Sequence, residues 1–288
     1  MTAVYKRELR SYFNSMIGYI YIAAVCAVIG IYFMIVNLKL GYPYLANSLS
    51  STVAIFAFAV PILTMKSIAE ERKTKSDQML LIYPVSVTGV IMGKFLAMLT
   101  VYAIPMAITC LCPLVIAKGG NGSYLIDYST ILAFMFMGAL FISVGMYISS
   151  LTESQVIAAV GAMVILLVML MWDNIVSFIP DTVTASCIGF CAVFLIFAFA
   201  IYRSTRSIIA PACIFVVGAA ASIACALIFE TWFAGALKGL LTALSINTVL
   251  INFTSYYVFD IKGLVLLAIL AALFVFLTVQ SVQKRRYE

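Results

Sequence analysis

The chain has 288 residues, 65% of them hydrophobic and 10% charged, with a mean hydropathy of +1.16, whereas soluble domains are roughly 25% charged. It contains no histidine, which excludes imidazole acid–base chemistry and histidine-ligated metal. A net charge of +6 would suit nucleic acid if it were clustered, but the lysines and arginines gather at the ends of apolar runs, so no nucleic-acid partner is expected and the chain reads as an all-α polytopic membrane protein.

At the N-terminus, Tyr5, Leu9, Tyr12 and Phe13 fall on one helical face and Lys6, Arg7 and Arg10 on the other. This predicts an interfacial helix over 1–14 with its basic side toward lipid headgroups. The apolar run from Met16 to about Asn37 is long enough to span a bilayer and is read as a retained first span rather than a signal peptide. Further spans are expected at 51–69, 91–117, 129–150, 156–173, 185–202, 208–229 and 262–281, about eight in all, which puts both termini on one side. With those termini cytoplasmic, Lys6, Arg7, Arg10, Lys66, Arg72, Lys73, Lys75, Lys94, Arg203, Arg206, Lys284, Arg285 and Arg286 lie inside. Only Lys39, Lys118, Lys238 and Lys262 lie outside, as the positive-inside rule requires. Pro61, Pro105, Pro113 and Pro211 fall within spans, and Asp173 beside Trp172 reads as an interface anchor.

Two stretches depart from plain span and loop. The first, residues 66–94 with its core at 70–90, carries Lys66, Glu70, Glu71, Arg72, Lys73, Lys75, Asp77 and Lys94 and cannot lie in hydrocarbon. Thr74 with Asp77, or Ser76 itself, can cap a short helix that Pro84 ends, and Ser86 or Thr88 can cap the next. Met79, Leu80, Leu81 and Ile82 give the short helix four consecutive apolar residues. Either they fold back on this chain's own span ends, or the helix docks a soluble subunit. The second stretch, 230–261, places Leu237, Leu240, Leu241 and Leu244 opposite Lys238, Thr242 and Ser245. It is expected to be an outer amphipathic helix, either re-entrant or lying on the surface.

No phosphate-cradling G-x-x-x-x-G-K-[ST] loop occurs, and no nucleophile has a histidine partner, so no enzyme activity is expected of the chain. The seven cysteines all fall in apolar runs and read as small hydrophobic residues. Every aspartate lies at or beyond a span end, whereas ion-coupled carriers rely on ionisable groups in mid-membrane. If the protein transports, its energy is expected to come from another chain.

The central stretch resembles the segment after the second span of ABC-2-type transporter permeases, in particular the branch of gliding-motility permeases. The resemblance rests on Ala69-Glu70-Glu71-Arg72, Asp77-Gln78-Met79-Leu80-Leu81, Pro84-Val85-Ser86 and Gly93-Lys94. The opening block from Tyr5 to Phe13 and the closing Leu277-Thr278-Val279-Gln280-Ser281 with Lys284-Arg285-Arg286 agree with it. Family members commonly have six spans, so an extra helical hairpin near 180–229 is implied.

The resemblance implies a single permease domain over 1–288 in a bacterial cytoplasmic membrane, with an exporter's membrane subunit pairing with a second permease copy and with separate P-loop ATPase subunits. The chain would need no cofactor, since ATP and magnesium belong to the ATPase. Residues 76–82 become a coupling helix, anchored in the ATPase by Met79, Leu80, Leu81 and Ile82. Glu71, Lys75, Ser76, Asp77, Gln78 and Pro84 complete the contact, and Tyr5, Lys6, Arg7, Leu9 and Arg10 form the interfacial helix. A self-contained secondary carrier and a non-transporting scaffold that docks a soluble partner are the competing readings.

Overall fold

A computed structural model describes residues 2–74, 86–118, 122–184, 186–192, 195, 198 and 235–287, and among them every regular element is a helix. In chain order these are α1 (Thr2–Asn14), α2 (Met16–Phe33, continued by a π-helical turn, Met34–Lys39), α3 (Leu45–Thr64), α4 (Ala69–Lys73), α5 (Val87–Thr109) and α6 (Cys112–Lys118). They are followed by α7 (Tyr124–Leu151), α8 (Gln155–Leu170), α9 (Trp172–Ser177), α10 (Ala236–Ala243), α11 (Ile246–Thr254) and α12 (Ile261–Tyr287).

Among the described residues, five helical stretches are long and apolar enough to cross a membrane: Met16–Lys39, Leu45–Lys73, Val87–Lys118, Tyr124–Leu151 and Ile261–Lys284. The number rises to six if Ala236–Ala243 and Ile246–Thr254, bent by 66°, form one broken span. Helices of this kind satisfy their own backbone polar groups, the condition for lying in hydrocarbon. The span expected at 156–173 is shorter than that: α8 has 16 residues, under the roughly 20 that a full crossing takes. Helical geometry breaks at Met171 before α9 begins. Half of the span expected at 185–202, and all of 208–229 with Pro211, lie outside the described residues.

The chain divides into two compact units, one of Met1–Leu170 with Val249–Glu288 and one of Met171–Thr248. In the first, α7 is the axis, with α3, α5, α8 and α12 packed against it. Phe134, Met137, Leu140, Phe141, Ile142, Val144 and Met146 are all buried, as befits a helix apolar on every side. Two glycines a heptad apart on α7 allow its neighbours to approach. A Cβ on Gly138 would lie 2.1 Å from the Tyr102 ring, and one on Gly145 would lie 2.2 Å from Thr64 Oγ1. The Tyr102 hydroxyl donates to the Phe134 carbonyl at 2.8 Å and its ring meets Phe56 edge-on. Pro61 and Pro105 fall inside α3 and α5, and Pro113 sits in the first turn of α6, where its missing N–H is harmless.

Helix α8 turns its small and buried residues, Ala158, Ala162 and Leu166, inward, and Val156, Val160, Val164 and Val168 outward. A water-soluble protein would reverse that arrangement, while a lipid solvent makes it neutral. In the second unit, Trp172 Nε1 donates to the Leu241 carbonyl at 2.8 Å, and Lys238 pairs with Asp181 at 2.9 Å. Asp173 accepts from Asn247 at 3.1 Å and from Thr248. The single apolar face expected on α10 is divided: Leu237 is buried and Leu241 half-buried, but Leu240 within the helix and Leu244 just past its end are exposed.

Candidate functional site

Lys94 is a lone cation in the apolar sequence of α5, between Ile91 and Leu96, and its side chain is 4% exposed. An ammonium there must find oxygen partners for its three donors. It donates to the Ser67 carbonyl at 2.8 Å, to Glu71 Oε1 at 2.8 Å and to Glu8 Oε1 at 3.3 Å. Arg7 closes the circuit by donating to the same two carboxylate oxygens, 3.0 Å to Glu8 and 3.3 Å to Glu71. Two cations and two carboxylates therefore alternate in a neutral ring built from α1, α4 and α5. Lys94 is its dry member and Arg7, with 58% of its side chain exposed, its wet one.

The same corner is held from α7. The first amides of α4 have no capping side chain of their own, since Ile68 occupies the cap position. Ser149 supplies the acceptor instead, taking hydrogen bonds from the N–H of Ile68 at 3.2 Å and of Ala69 at 3.0 Å. Its hydroxyl donates to the Met65 carbonyl at 3.3 Å. Helix α1 is fastened by Tyr12, whose hydroxyl donates to the Leu63 carbonyl at 3.1 Å, and by Tyr5, which shares a hydrogen bond with Thr100. Burial, with Glu8, Glu70 and Glu71 adding to it, pushes the Tyr12 phenol well above its ordinary value, so it stays a donor.

These contacts fix both flanks of residues 75–85, with α4 on one side and the first two turns of α5 on the other. Of the residues expected to contact a soluble partner, Glu71 is in the ring. Lys75, Ser76, Asp77, Gln78, Met79, Leu80, Leu81, Ile82 and Pro84 lie outside the described residues. On α1, Lys6, Arg7 and Arg10 are exposed while Tyr5 and Leu9 are partly covered. Ser86 precedes α5 in an extended conformation, but its side chain makes no capping bond.

At the opposite end of the bundle a different polar arrangement grips one peptide bond. Asn37, in the π-helical turn, donates to the Tyr44 carbonyl at 2.9 Å, and Asp127, in the first turn of α7, accepts from the Leu45 N–H at 2.8 Å. Asn37 also donates to the Tyr42 carbonyl at 2.8 Å and accepts from the Ser48 hydroxyl. A carboxylate is well placed here, because the N-termini of α3 and α7 both carry positive partial charge. Sequence reasoning passed over Glu8, Ser67, Lys94, Ser149 and Asp127 as site residues. Lys94 had a legible signal, since a single lysine inside an apolar helix calls for carboxylate partners. Ser149 had none, because serine is unremarkable at a helix end.

A multi-pass helical membrane protein, with an ion-paired corner bracketing one charged stretch of sequence, is the class these features define. Residues 11–189, more than half of the chain, match the family model described as ABC-2 family transporter protein, and the chain belongs to that family. It is thus a membrane component of an ABC transporter, and the match covers the span pairs on either side of the charged loop and ends before α10. No curated protein and no solved structure matches the chain.

Proposed function

We propose that the chain is the translocation subunit of an ABC exporter of the gliding-motility permease type, with its termini cytoplasmic, driven by a separate ATPase that docks on residues 76–82. The observation that supports this reading best is the double fastening at the loop's base. Lys94 ties α4 to α5 across the loop, and Ser149 ties α4 to the central helix α7. A push on the loop is thereby delivered to the start of α5 and the end of α3 rather than lost in a slack connection. Glu71 serves the partner contact by holding the loop's stem, and Met79, Leu80, Leu81 and Ile82 supply its apolar anchor. A second copy of the permease completes the path.

The test is copurification of tagged protein from native membranes, with P-loop ATPase peptides sought by mass spectrometry. The wild type should retain an ATPase. The double substitution Leu80→Asp with Leu81→Asp should lose it by at least tenfold while still inserting in the membrane, since burying two unpaired carboxylates in a docking groove costs several kcal/mol. Undiminished recovery by that variant would move the docking site elsewhere.

A further inference from the structure

The outward face of α1 forms an open groove of about 800 Å³ lined by Lys6, Arg7, Arg10, Ser11, Asn14 and Ser15 together with Ala3. Among the described residues, three cations and no carboxylate line it. Lys6 and Arg10, one helical turn apart, have no acidic partner among the described residues, whereas Arg7 is shared with the ring of Glu8, Glu71 and Lys94. Directly after the groove the chain enters α2, whose first residues Met16, Tyr19 and Ile20 are 79%, 58% and 62% exposed. The occupant that fits both surfaces has an anionic head for the groove and an apolar tail for the strip on α2. A nucleic acid or a phosphopeptide would leave that strip uncovered.

We propose that this groove binds the phosphate of an anionic phospholipid, and that Arg7 carries the lipid's charge to the base of the 75–85 loop. A guanidinium presents five donors in a fork suited to phosphate, so a headgroup in the groove competes with Glu8 and Glu71 for Arg7. When Arg7 turns to the phosphate, the ring is left with one cation between two carboxylates. Glu8 and Glu71 then repel, and α4 loosens from α1. Anionic lipid thereby sets how firmly the loop stem is held. The effect of that setting on an ATPase rests on the docking reading above, but the lipid site and the loosening do not.

The test uses the full chain without any ATPase. Native mass spectrometry of the purified protein should show phosphatidylglycerol retained at least tenfold over phosphatidylcholine, since the basic side chains of the groove attract anionic headgroups. Lys6→Gln with Arg10→Gln should abolish the preference, with unchanged elution on size exclusion. In nanodiscs, amide exchange across Ala69–Lys73 should be severalfold faster with phosphatidylglycerol than with phosphatidylcholine alone, and Arg7→Gln should make it insensitive to lipid.

Equal retention of the two lipids, or a preference that survives the double substitution, would overturn the site. Lipid-independent exchange in the wild type would overturn the relay. If inorganic phosphate added to phosphatidylcholine nanodiscs reproduces the faster exchange, the ligand is free phosphate and the lipid assignment falls. Failure of the wild type to copurify an ATPase, with its lipid preference intact, would count against docking alone.

Discussion

At the α1 end, four charged side chains from three helices share two carboxylate oxygens, whereas at the far end one carboxylate and one carboxamide hold the two faces of a single peptide bond. The two devices respond differently to displacement. Coulombic attraction falls off slowly with distance, while an N–H···O bond weakens steeply once its angle or length is spoiled. The ring at the loop base can therefore shift and keep most of its energy. The clamp at Tyr44–Leu45 holds α3 and α7 in register or lets go.

The sharpest way to break this contrast is Lys94→Met, which removes the dry cation and leaves Glu8 and Glu71 facing each other. Breaking a buried pair costs about 3–5 kcal/mol. With the two carboxylates 15% and 19% exposed, solvent lowers that, and a loss of about 2–4 kcal/mol is expected by thermal unfolding in detergent. Adding Glu71→Gln to it should recover part of the loss, because the two carboxylates no longer repel. A second single change tests the axis on which both ends depend. Gly145→Val would drive a side chain into Thr64, with about 1–3 kcal/mol of destabilisation.

At the far end, Asp127→Ala leaves the buried Leu45 N–H without its acceptor, an expected loss of about 1–3 kcal/mol. Asp127→Asn keeps an acceptor oxygen and should cost less. If the asparagine variant proves as damaging as the alanine one, charge at the two helix N-termini matters more than the directional bond. The smallest effect is expected at Asp260, which caps α12 by accepting from Gly263 N–H at 3.0 Å and also accepts from Asn252 at 2.8 Å. The Gly263 amide holds its carboxyl below the ordinary value; burial opposes that, and the Asn252 side chain and Lys262 add to the lowering. A lowered value means stabilisation that is complete above the ordinary carboxylate range and fades as pH falls through the folded-state value. Unfolding should thus show the full contribution of Asp260, with no pH dependence, between neutral pH and about pH 5, and its loss as pH falls below about pH 4. Asp260→Asn should lack that acid limb.

Much of the architecture was legible in the chain. Apolar runs of span length gave Met16–Lys39, Tyr124–Leu151 and Ile261–Lys284 to within a few residues, because hydrocarbon admits nothing but self-satisfied helix over such lengths. Boundaries erred where the signal was weak. Helix α3 starts at Leu45 rather than near 51, since Asn47 and Ser48 are polar enough to read as loop until Asn37 and Ser48 are seen bonded to each other. Helix α8 stops at Leu170 although the apolar run continues. The charged stretch after the second span was marked by its own charges and by Pro84, but not the means by which its stem is held.

Composition and periodicity alone determined that this chain is a helical membrane protein with a charged loop after its second span, because the cost of placing charge in lipid is local and can be summed along the sequence. Only the tertiary structure decided that Glu8, Glu71 and Lys94 meet, that Ser149 caps α4 from another helix, and that Asp127 and Asn37 hold one peptide bond between them. Those pairings join residues far apart in the chain. Their energies depend on distances that exist only once the helices have packed around α7.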